Sequence, residues 1–244
     1  MTFNLRVFFT CLAGALLGVA VVMFIGMNSY VVTNTQPKTT LPLIIIDAGH
    51  GGGDGGTQSS SGILEKDINL DISKKLCCIF EMLGYKTLMV REDDLLLSDS
   101  DSNTVRQKKV SDIHNRMKKI EENPAGIFLS IHQNYFTQSK YNGTQVFYSP
   151  NNAESRIIAQ AIQNSVVEHL QNDNERKIKE SGTEIYLLYH AKSPAVMVEC
   201  GFLSNPGEAQ LLNDDEYQRK ISLAIADGVI DYLKGSSQNI KVET

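Results

Sequence analysis

Short apolar runs alternate with longer amphipathic segments along most of the chain. The apolar runs are rich in β-branched residues and predict buried strands at 43–46, 85–90, 127–131, 144–148 and 195–198. Between them, apolar residues recur at steps of three and four, which predicts helices at about 66–83, 105–122, 152–170 and 215–233. This alternation predicts an α/β fold: one domain with a mostly parallel or mixed twisted sheet of about six strands and helices on both faces.

The start of the chain has a different pattern, a single apolar run from Val7 to Met27 without charge, proline or amide side chains. A helix of roughly 20 such residues can cross a bilayer. Arg6 precedes the run and favours a cytoplasmic start, so the rest of the chain is expected to be exported. We expect an uncleaved anchor, because the run exceeds the ~7–15 apolar residues of a signal peptide and no small-x-small site follows it. A cleaved signal segment is the alternative.

These patterns divide the chain into four predicted segments. Residues 1–27 are the cytoplasmic end with the membrane anchor or signal segment, and 28–41 are a polar, flexible linker. Residues 42–234 form the folded domain, and 235–244 a disordered tail.

Composition narrows the classes of function that need to be considered. The chain has 244 residues, of which 42% are hydrophobic, and this is enough for one packed core. A formal net charge of -5 argues against nucleic acid as a partner. The cysteines at 11, 77, 78 and 200 contain no C-x-x-C pair, so we expect small buried hydrophobic residues and no thiolate metal site or redox pair.

Three residues with useful chemistry follow predicted buried strands. His50, His132 and Glu199 each lie one to four residues beyond the end of such a strand. The carboxyl ends of parallel strands meet at one edge of a sheet, so these side chains are expected to converge there. Glu65 lies at the far side of the glycine-rich loop that His50 begins, and it can fold back to the same place.

Two imidazoles and a carboxylate form the ligand set of several catalytic zinc sites. We therefore predict that His50, Glu65 and His132 bind one zinc ion, although other first-row ions suit the same ligands. Zinc polarises a carbonyl and lowers the pKa of bound water towards ~7, and Glu199 is placed to take the proton of that water. The remaining histidines are expected to have structural or surface roles: His114, His169 and His190.

The glycine-rich loop also fits a dinucleotide-binding pattern, through Gly51, Gly53 and Gly56. We reject that interpretation because no helix begins within the motif, and because the loop lacks the G-K-[ST] ending of a phosphate loop. The glycines are better explained as letting the backbone turn tightly around a metal ligand.

Four ordered motifs together resemble a known family, the zinc-dependent N-acetylmuramoyl-L-alanine amidases of the third amidase family. The four motifs are Asp47-Ala-Gly-His-Gly-Gly, Glu65-Lys-Asp-Ile-Asn-Leu, Ser130-Ile-His-Gln-Asn and Val198-Glu-Cys-Gly-Phe-Leu-Ser-Asn. The resemblance covers about 43–233. It implies hydrolysis of the amide between N-acetylmuramic acid and the L-alanine of the stem peptide in peptidoglycan. It also implies zinc ligands at His50, Glu65 and His132, a catalytic carboxylate at Glu199, and 42–234 as the catalytic domain.

Two further features of the resemblance leave questions open. Arg91 and Arg116 occupy positions where the family has arginines, and either substrate contact or ion pairing alone would explain them. Because arginines on helices are mostly solvated, neither is included among the predicted site residues. Residues 53–57 replace the usual Asp-Pro-Gly-Ala ending of the first loop without removing a ligand. No long inhibitory helix is evident, so we expect control by an accessory activating protein or by metal occupancy.

Within the family, the chain is similar to the spore-cortex (germination-specific) subgroup. The similarity rests on the direct joining of an anchor to one catalytic domain, on Gln133, and on residues 99–109. It implies action on glycan strands with stem peptides in the cortex space of the developing spore, as the first step towards muramic-δ-lactam, with a functional link to a polysaccharide deacetylase. The alternatives are a zinc peptidase acting on the stem peptide and a non-catalytic cell-wall-binding module.

Overall fold

A six-stranded sheet organises the computed structural model, which describes residues 41–240 and side chains as far as Gly235. The strands are β1 (Ile44–Ala48), β2 (Thr87–Met89), β3 (Ile127–Asn134), β4 (Gln145–Tyr148), β5 (Lys179–Glu180) and β6 (Ala195–Phe202). The helices are α1 (Glu65–Met82), α2 (Val105–Glu121), α3 (Ala153–His169), α4 (Tyr186–His190), α5 (Pro206–Leu212) and α6 (Asp215–Ile240). The predicted anchor, the linker as far as residue 40, and the tail residues 241–244 lie outside the described residues.

The sheet is mixed, as predicted, and its strand order is β2-β1-β3-β6-β4-β5. Strands β2, β1, β3 and β6 are parallel, whereas β4 runs antiparallel to β6 and carries β5 parallel to itself. The central strands are in register, with Ala48 beside Ile131 and His132 beside Glu199. The carboxyl ends of β1, β3 and β6 therefore lie at one edge of the sheet.

Helices cover both faces of the sheet, and alternate residues of β1 show how the core divides. Ile44 and Ile46 pack into the larger core, which includes residues of α1, α3, α5 and α6. Ile45 packs into the smaller core, with Met117 of α2 and Leu187 of α4. A strand buried on both faces reads as a continuous apolar run, which is why the sequence pattern identified it.

Several elements differ from the sequence prediction for simple physical reasons. Strands β3 and β6 continue beyond the predicted ends at 131 and 198, because polar residues interrupt the apolar run without ending the strand. Helices α4 and α5 and strand β5 were missed, because they are too short for a periodic pattern. Helix α6 continues to Ile240, past the predicted end at 233.

The cysteine prediction is confirmed for Cys200, which is buried, and is wrong for Cys78, which is exposed on α1. Cys77 is partly buried, and Cys11 lies outside the described residues. Within residues 41–240, no helix is both long and apolar enough to cross a membrane.

The core predicts a clear difference between two leucine truncations. Leu76 of α1 is fully buried, whereas the side chain of Leu223 on α6 is 56% exposed. Leu76→Ala should lower the free energy of unfolding by ~2–5 kcal/mol, because it removes packed atoms and leaves a cavity. Leu223→Ala should change it by less than about 0.5 kcal/mol. Urea denaturation of both full-length variants measures the difference, and equal losses would contradict this description of the core.

Candidate metal centre

The loop after β1 begins with a tight turn that reverses the direction of the chain. His50 has a left-handed backbone with φ of 61°, which is uncommon for a residue other than glycine. Gly51 and Asp54 then exchange two backbone hydrogen bonds of 2.9 Å, which close a tight turn. This turn aims the His50 ring at the sheet edge.

The side chains of His50, Glu65 and His132 meet at this edge, as the sequence analysis expected. Glu65 is the first residue of α1, and His132 lies within β3 near its end. The Glu65 Oε1 atom is 3.2 Å from His50 Nε2 and 2.9 Å from His132 Nδ1. All three ligand atoms lie within 4.8 Å of one another, and no other group in the described part of the chain combines three such ligands.

This donor set fits a small divalent cation. Ligands bonded at ~2.1 Å to a tetrahedral ion are about 3.4 Å apart, close to the two separations just given. Burial alone would raise the pKa of Glu65, but the two histidines outweigh it and hold the pKa well below its usual range. Burial alone would lower the pKa of His50, but hydrogen bonds to Asp54 and Glu65 raise it to about 9. The centre thus contains an ionised carboxylate facing two histidine rings.

Three hydrogen bonds fix the orientation of the Glu65 carboxylate. The backbone N–H of Thr57 donates to Oε2 at 2.8 Å, and the backbone N–H of Gln133 donates to Oε1 at 3.1 Å. The Asn69 amide also donates to Oε1 at 3.3 Å, and it accepts a bond from the Gln133 side chain at 3.1 Å. Such outer contacts hold a metal ligand in one rotamer.

Asp54 orients the His50 ring and was not identified as a site residue from sequence. Its Oδ2 atom is 2.9 Å from His50 Nδ1, so His50 Nε2 faces Glu65. Its Oδ1 atom is 2.8 Å from the Lys109 ammonium. A carboxylate four residues after a histidine, across a glycine turn, is the signal that could have identified it.

Two buried arginines hold the backbone of the loop. Arg91 donates to the carbonyls of Ala48 at 2.8 Å and Gly49 at 3.1 Å. Arg116 donates to the carbonyls of Ala48 at 2.9 Å and His50 at 2.7 Å. The expectation that helical arginines are mostly solvated is wrong for Arg116, and both side chains bind backbone that positions His50.

Arg116 also forms ion pairs with two buried carboxylates. It forms an ion pair with Asp47, the fourth residue of β1, and another of 2.7 Å with Asp112. The Ser130 hydroxyl donates to the other Asp47 oxygen at 2.8 Å. Burial raises the pKa of Asp47, but the Arg116 charge outweighs it, so the pKa lies below its usual value.

Two glycines allow the close approach of the side chains in the candidate metal centre. A Cβ at Gly49 would lie 2.2 Å from the His132 ring, so only glycine lets that ring pack against the loop. Gly56 has φ of 68°, and a Cβ there would lie 2.5 Å from Glu65 Oε2. The predicted need for tight backbone around a metal ligand is met at Gly56, whereas Gly53 faces open space.

Glu199 lies beside the histidine–carboxylate cluster. It is the register partner of His132, so the two side chains project from neighbouring strands on one face of the sheet. Its Oε2 atom is buried and accepts no hydrogen bond from the described residues. Burial raises the pKa of Glu199 to about 7, which allows it to exchange a proton near neutral pH.

A cleft of about 270 Å³ opens in front of the centre. His50 and His132 contribute to its floor, and its walls come from the start of α4 and from α2. The other three histidines lie outside it: His114 packs near Tyr186, His169 lies 3.3 Å from Asp227, and His190 packs on Tyr186. A cation held by His50 and His132 would therefore face this cleft, and Glu199 lies beside His132 on the neighbouring strand.

Comparison with known proteins gives a consistent result. Residues 44–231 match a family profile described as N-acetylmuramoyl-L-alanine amidase. The germination-specific N-acetylmuramoyl-L-alanine amidase of Bacillus subtilis is 32% identical over 221 residues, which cover 89% of this chain and 92% of that protein.

Solved structures agree with the sequence comparison. The CwlD amidase from Clostridioides difficile, in complex with the GerS lipoprotein, is 41% identical with a TM-score of 0.77, covering 79% of this chain and 98% of that one. The amidase AmiC2 of Nostoc punctiforme is 27% identical with a TM-score of 0.68, covering 79% and 97%. The chain therefore belongs to the N-acetylmuramoyl-L-alanine amidase family, Amidase_3, and is a hydrolase of that class.

Proposed function

We propose that the chain is a zinc-dependent amidase that separates N-acetylmuramic acid from the L-alanine of the stem peptide in peptidoglycan. The observation that carries this proposal is the cluster of His50, Glu65 and His132 ligand atoms within 4.8 Å of one another. Beside it lies a Glu199 oxygen that accepts no hydrogen bond from the described residues. Family membership favours this reaction over the stem-peptide peptidase and the wall-binding module considered from sequence.

His50, Glu65 and His132 would hold the zinc ion. When bound, zinc supplies a polarised scissile carbonyl and a water molecule of lowered pKa. Glu199 accepts the proton of the attacking water at Oε2 and then passes it to the leaving nitrogen, so that L-alanine departs as an amine. Asp54 keeps the His50 ring in the orientation that directs Nε2 to the ion.

We infer that the enzyme acts in the spore cortex, where peptide removal would prepare muramic acid for δ-lactam formation and for a polysaccharide deacetylase. The name of the Bacillus subtilis relative, which is germination-specific, supports this role. The predicted anchor at 1–27, followed by the linker at 28–41, would hold the catalytic domain at 42–234 outside the cytoplasm.

An accessory protein is also proposed as a partner. The CwlD amidase was solved together with a lipoprotein, and this supports an activating partner for the present chain. The proposal would be abandoned if the purified full-length chain with zinc alone turned over substrate as fast as it does with the accessory protein present.

The products of digestion test the proposed reaction directly. Full-length protein in mild detergent is incubated with spore-cortex peptidoglycan, with zinc or with a chelator, and with the accessory protein if needed. Mass spectrometry should detect intact stem peptides that begin with L-alanine in the zinc sample alone. Fragments cut inside the stem peptide would instead identify a peptidase, and release that survives complete metal removal would exclude the zinc mechanism.

The role of Glu199 predicts the behaviour of an isosteric variant. Glu199→Gln should retain zinc and lose ~100-fold or more in turnover, because an amide cannot carry the proton from water to the leaving nitrogen. Zinc content and turnover of the purified variant are measured together. Near-normal turnover would disprove the general-base role.

The contact between Asp54 and His50 predicts an effect on zinc affinity that can be measured separately from turnover. Asp54→Asn should weaken zinc binding by ~10- to 100-fold, because the charged partner of the His50 Nδ1 atom is lost. Competition with a chelating dye measures this affinity. Asp231→Asn is the control, since among residues 41–235 Asp231 forms an ion pair with Lys234 alone, on the surface of α6. Equal zinc affinities for the two variants would contradict the orienting role of Asp54.

A further inference from the structure

Arg176 lies on the opposite side of Glu199 from the proposed zinc ligands. Gln145 of β4 is the register partner of Glu199 in β6, and neighbouring strands are about 4.8 Å apart. Arg176 Nη1 lies 3.4 Å from the Gln145 side-chain oxygen. In the strand order β1-β3-β6-β4, the guanidinium therefore lies one strand beyond Glu199, and the metal ligands lie on the other side.

The Arg176 side chain is held in place before any ligand arrives. Its Nε atom donates to the Asn142 carbonyl at 2.6 Å. Its guanidinium carbon lies 4.4 Å from the centre of the Phe202 ring and 5.9 Å from that of Tyr141. A guanidinium fixed by stacking loses little entropy when it binds a planar acceptor.

This fixed cation has no carboxylate partner within 4 Å among residues 41–235, although it is partly buried. Glu208 is nearby, but its two oxygens accept the backbone N–H groups of Gly143 and Phe202. Asp173 and Glu175 line the same hollow of about 350 Å³ and form no ion pair with Arg176.

A second cation lies at the same place. The Lys140 ammonium is 5.4 Å from the centre of the Tyr141 ring, and its side chain is exposed. We use the term cationic shelf for Lys140, Tyr141, Arg176 and Phe202. The shelf includes the exposed Lys140 side chain, and its Arg176 guanidinium contacts Gln145, the register partner of Glu199.

The position of the shelf indicates which part of the substrate it meets. Under the proposed function, on which this inference rests, Glu199 passes a proton to the nitrogen of the departing peptide. The peptide must then lie against Glu199, and its continuation away from the metal ligands crosses β4 towards Arg176. Peptide residues advance by about 3.3 Å each when extended, so the shelf is within reach of the first few residues of the stem.

We propose that the cationic shelf binds a carboxylate of the stem peptide, with Arg176 as the residue that determines specificity. The planar guanidinium can donate two parallel hydrogen bonds to a carboxylate, and Lys140 adds a second positive charge. The shelf selects muramoyl peptides that carry a free carboxylate over those in which that group is an amide.

Two matched substrates test this inference. They are synthetic muramoyl peptides of identical sequence, one with free carboxylates and one with each carboxylate converted to a carboxamide. The wild-type chain should cleave the acid form with a kcat/KM ~10- to 100-fold higher, as expected for a hydrogen-bonded charged pair. Arg176→Gln should cleave the amide form at the wild-type rate and should lose most of the preference for the acid form. Arg156→Gln, which removes an exposed cation from α3, should keep the full preference.

Each outcome has a distinct meaning. Equal loss on both substrates in Arg176→Gln would show a merely structural role and overturn the inference, as would a wild-type enzyme without preference. Zinc content and the thermal unfolding midpoint check that the variant is folded. If it is not, Lys140→Gln on the exposed rim should still reduce the preference, and an unchanged preference there overturns the shelf. A wild-type chain that releases no stem peptide from either substrate, even with zinc and its accessory protein present, would instead refute the proposed function itself.

Discussion

The buried guanidinium of Arg116 is the interaction on which the centre depends. It binds the Asp47 carboxylate and the carbonyls of Ala48 and His50, so it fixes the chain where β1 becomes a loop. A left-handed conformation at a residue such as His50 costs about 1–3 kcal/mol and persists only where the surroundings impose it. Arg116 of α2 supplies that constraint. Arg91, which follows β2, reinforces it by donating a hydrogen bond to the carbonyl of Gly49.

The parallel register converts this local constraint into a functional arrangement. Because β1, β3 and β6 end at one edge, the fixed loop places His50 beside His132 and leaves Glu199 one strand further on. The antiparallel strand β4 then places Gln145 beside Glu199, and Gln145 contacts Arg176. The candidate metal centre, the proposed proton acceptor Glu199 and the Arg176 cation therefore follow one another across four neighbouring strands.

The sequence was sufficient to predict the central strands and the long helices, because strands buried on both faces are continuous apolar runs and amphipathic helices are periodic. It also predicted that His50 and His132 lie close together, because the ends of parallel strands converge. Glu65 was predicted to join them because it lies at the other end of the glycine-rich loop. It did not reveal Asp54 or Arg176, and it left the role of Arg116 open, because these roles depend on contacts between residues distant along the chain or across a turn. The burial of Arg116 against Asp47, 69 positions away, has no local pattern.

The central claim is that one zinc ion is held at the carboxyl edge of the sheet by two histidines and one glutamate. Anomalous diffraction at the zinc absorption edge, from crystals of the zinc-loaded protein, tests it most directly. The account predicts one strong peak, ~2.0–2.2 Å from His50 Nε2, His132 Nδ1 and a Glu65 carboxylate oxygen. A peak bound by other residues, or no peak between these three side chains at full zinc loading, would contradict it.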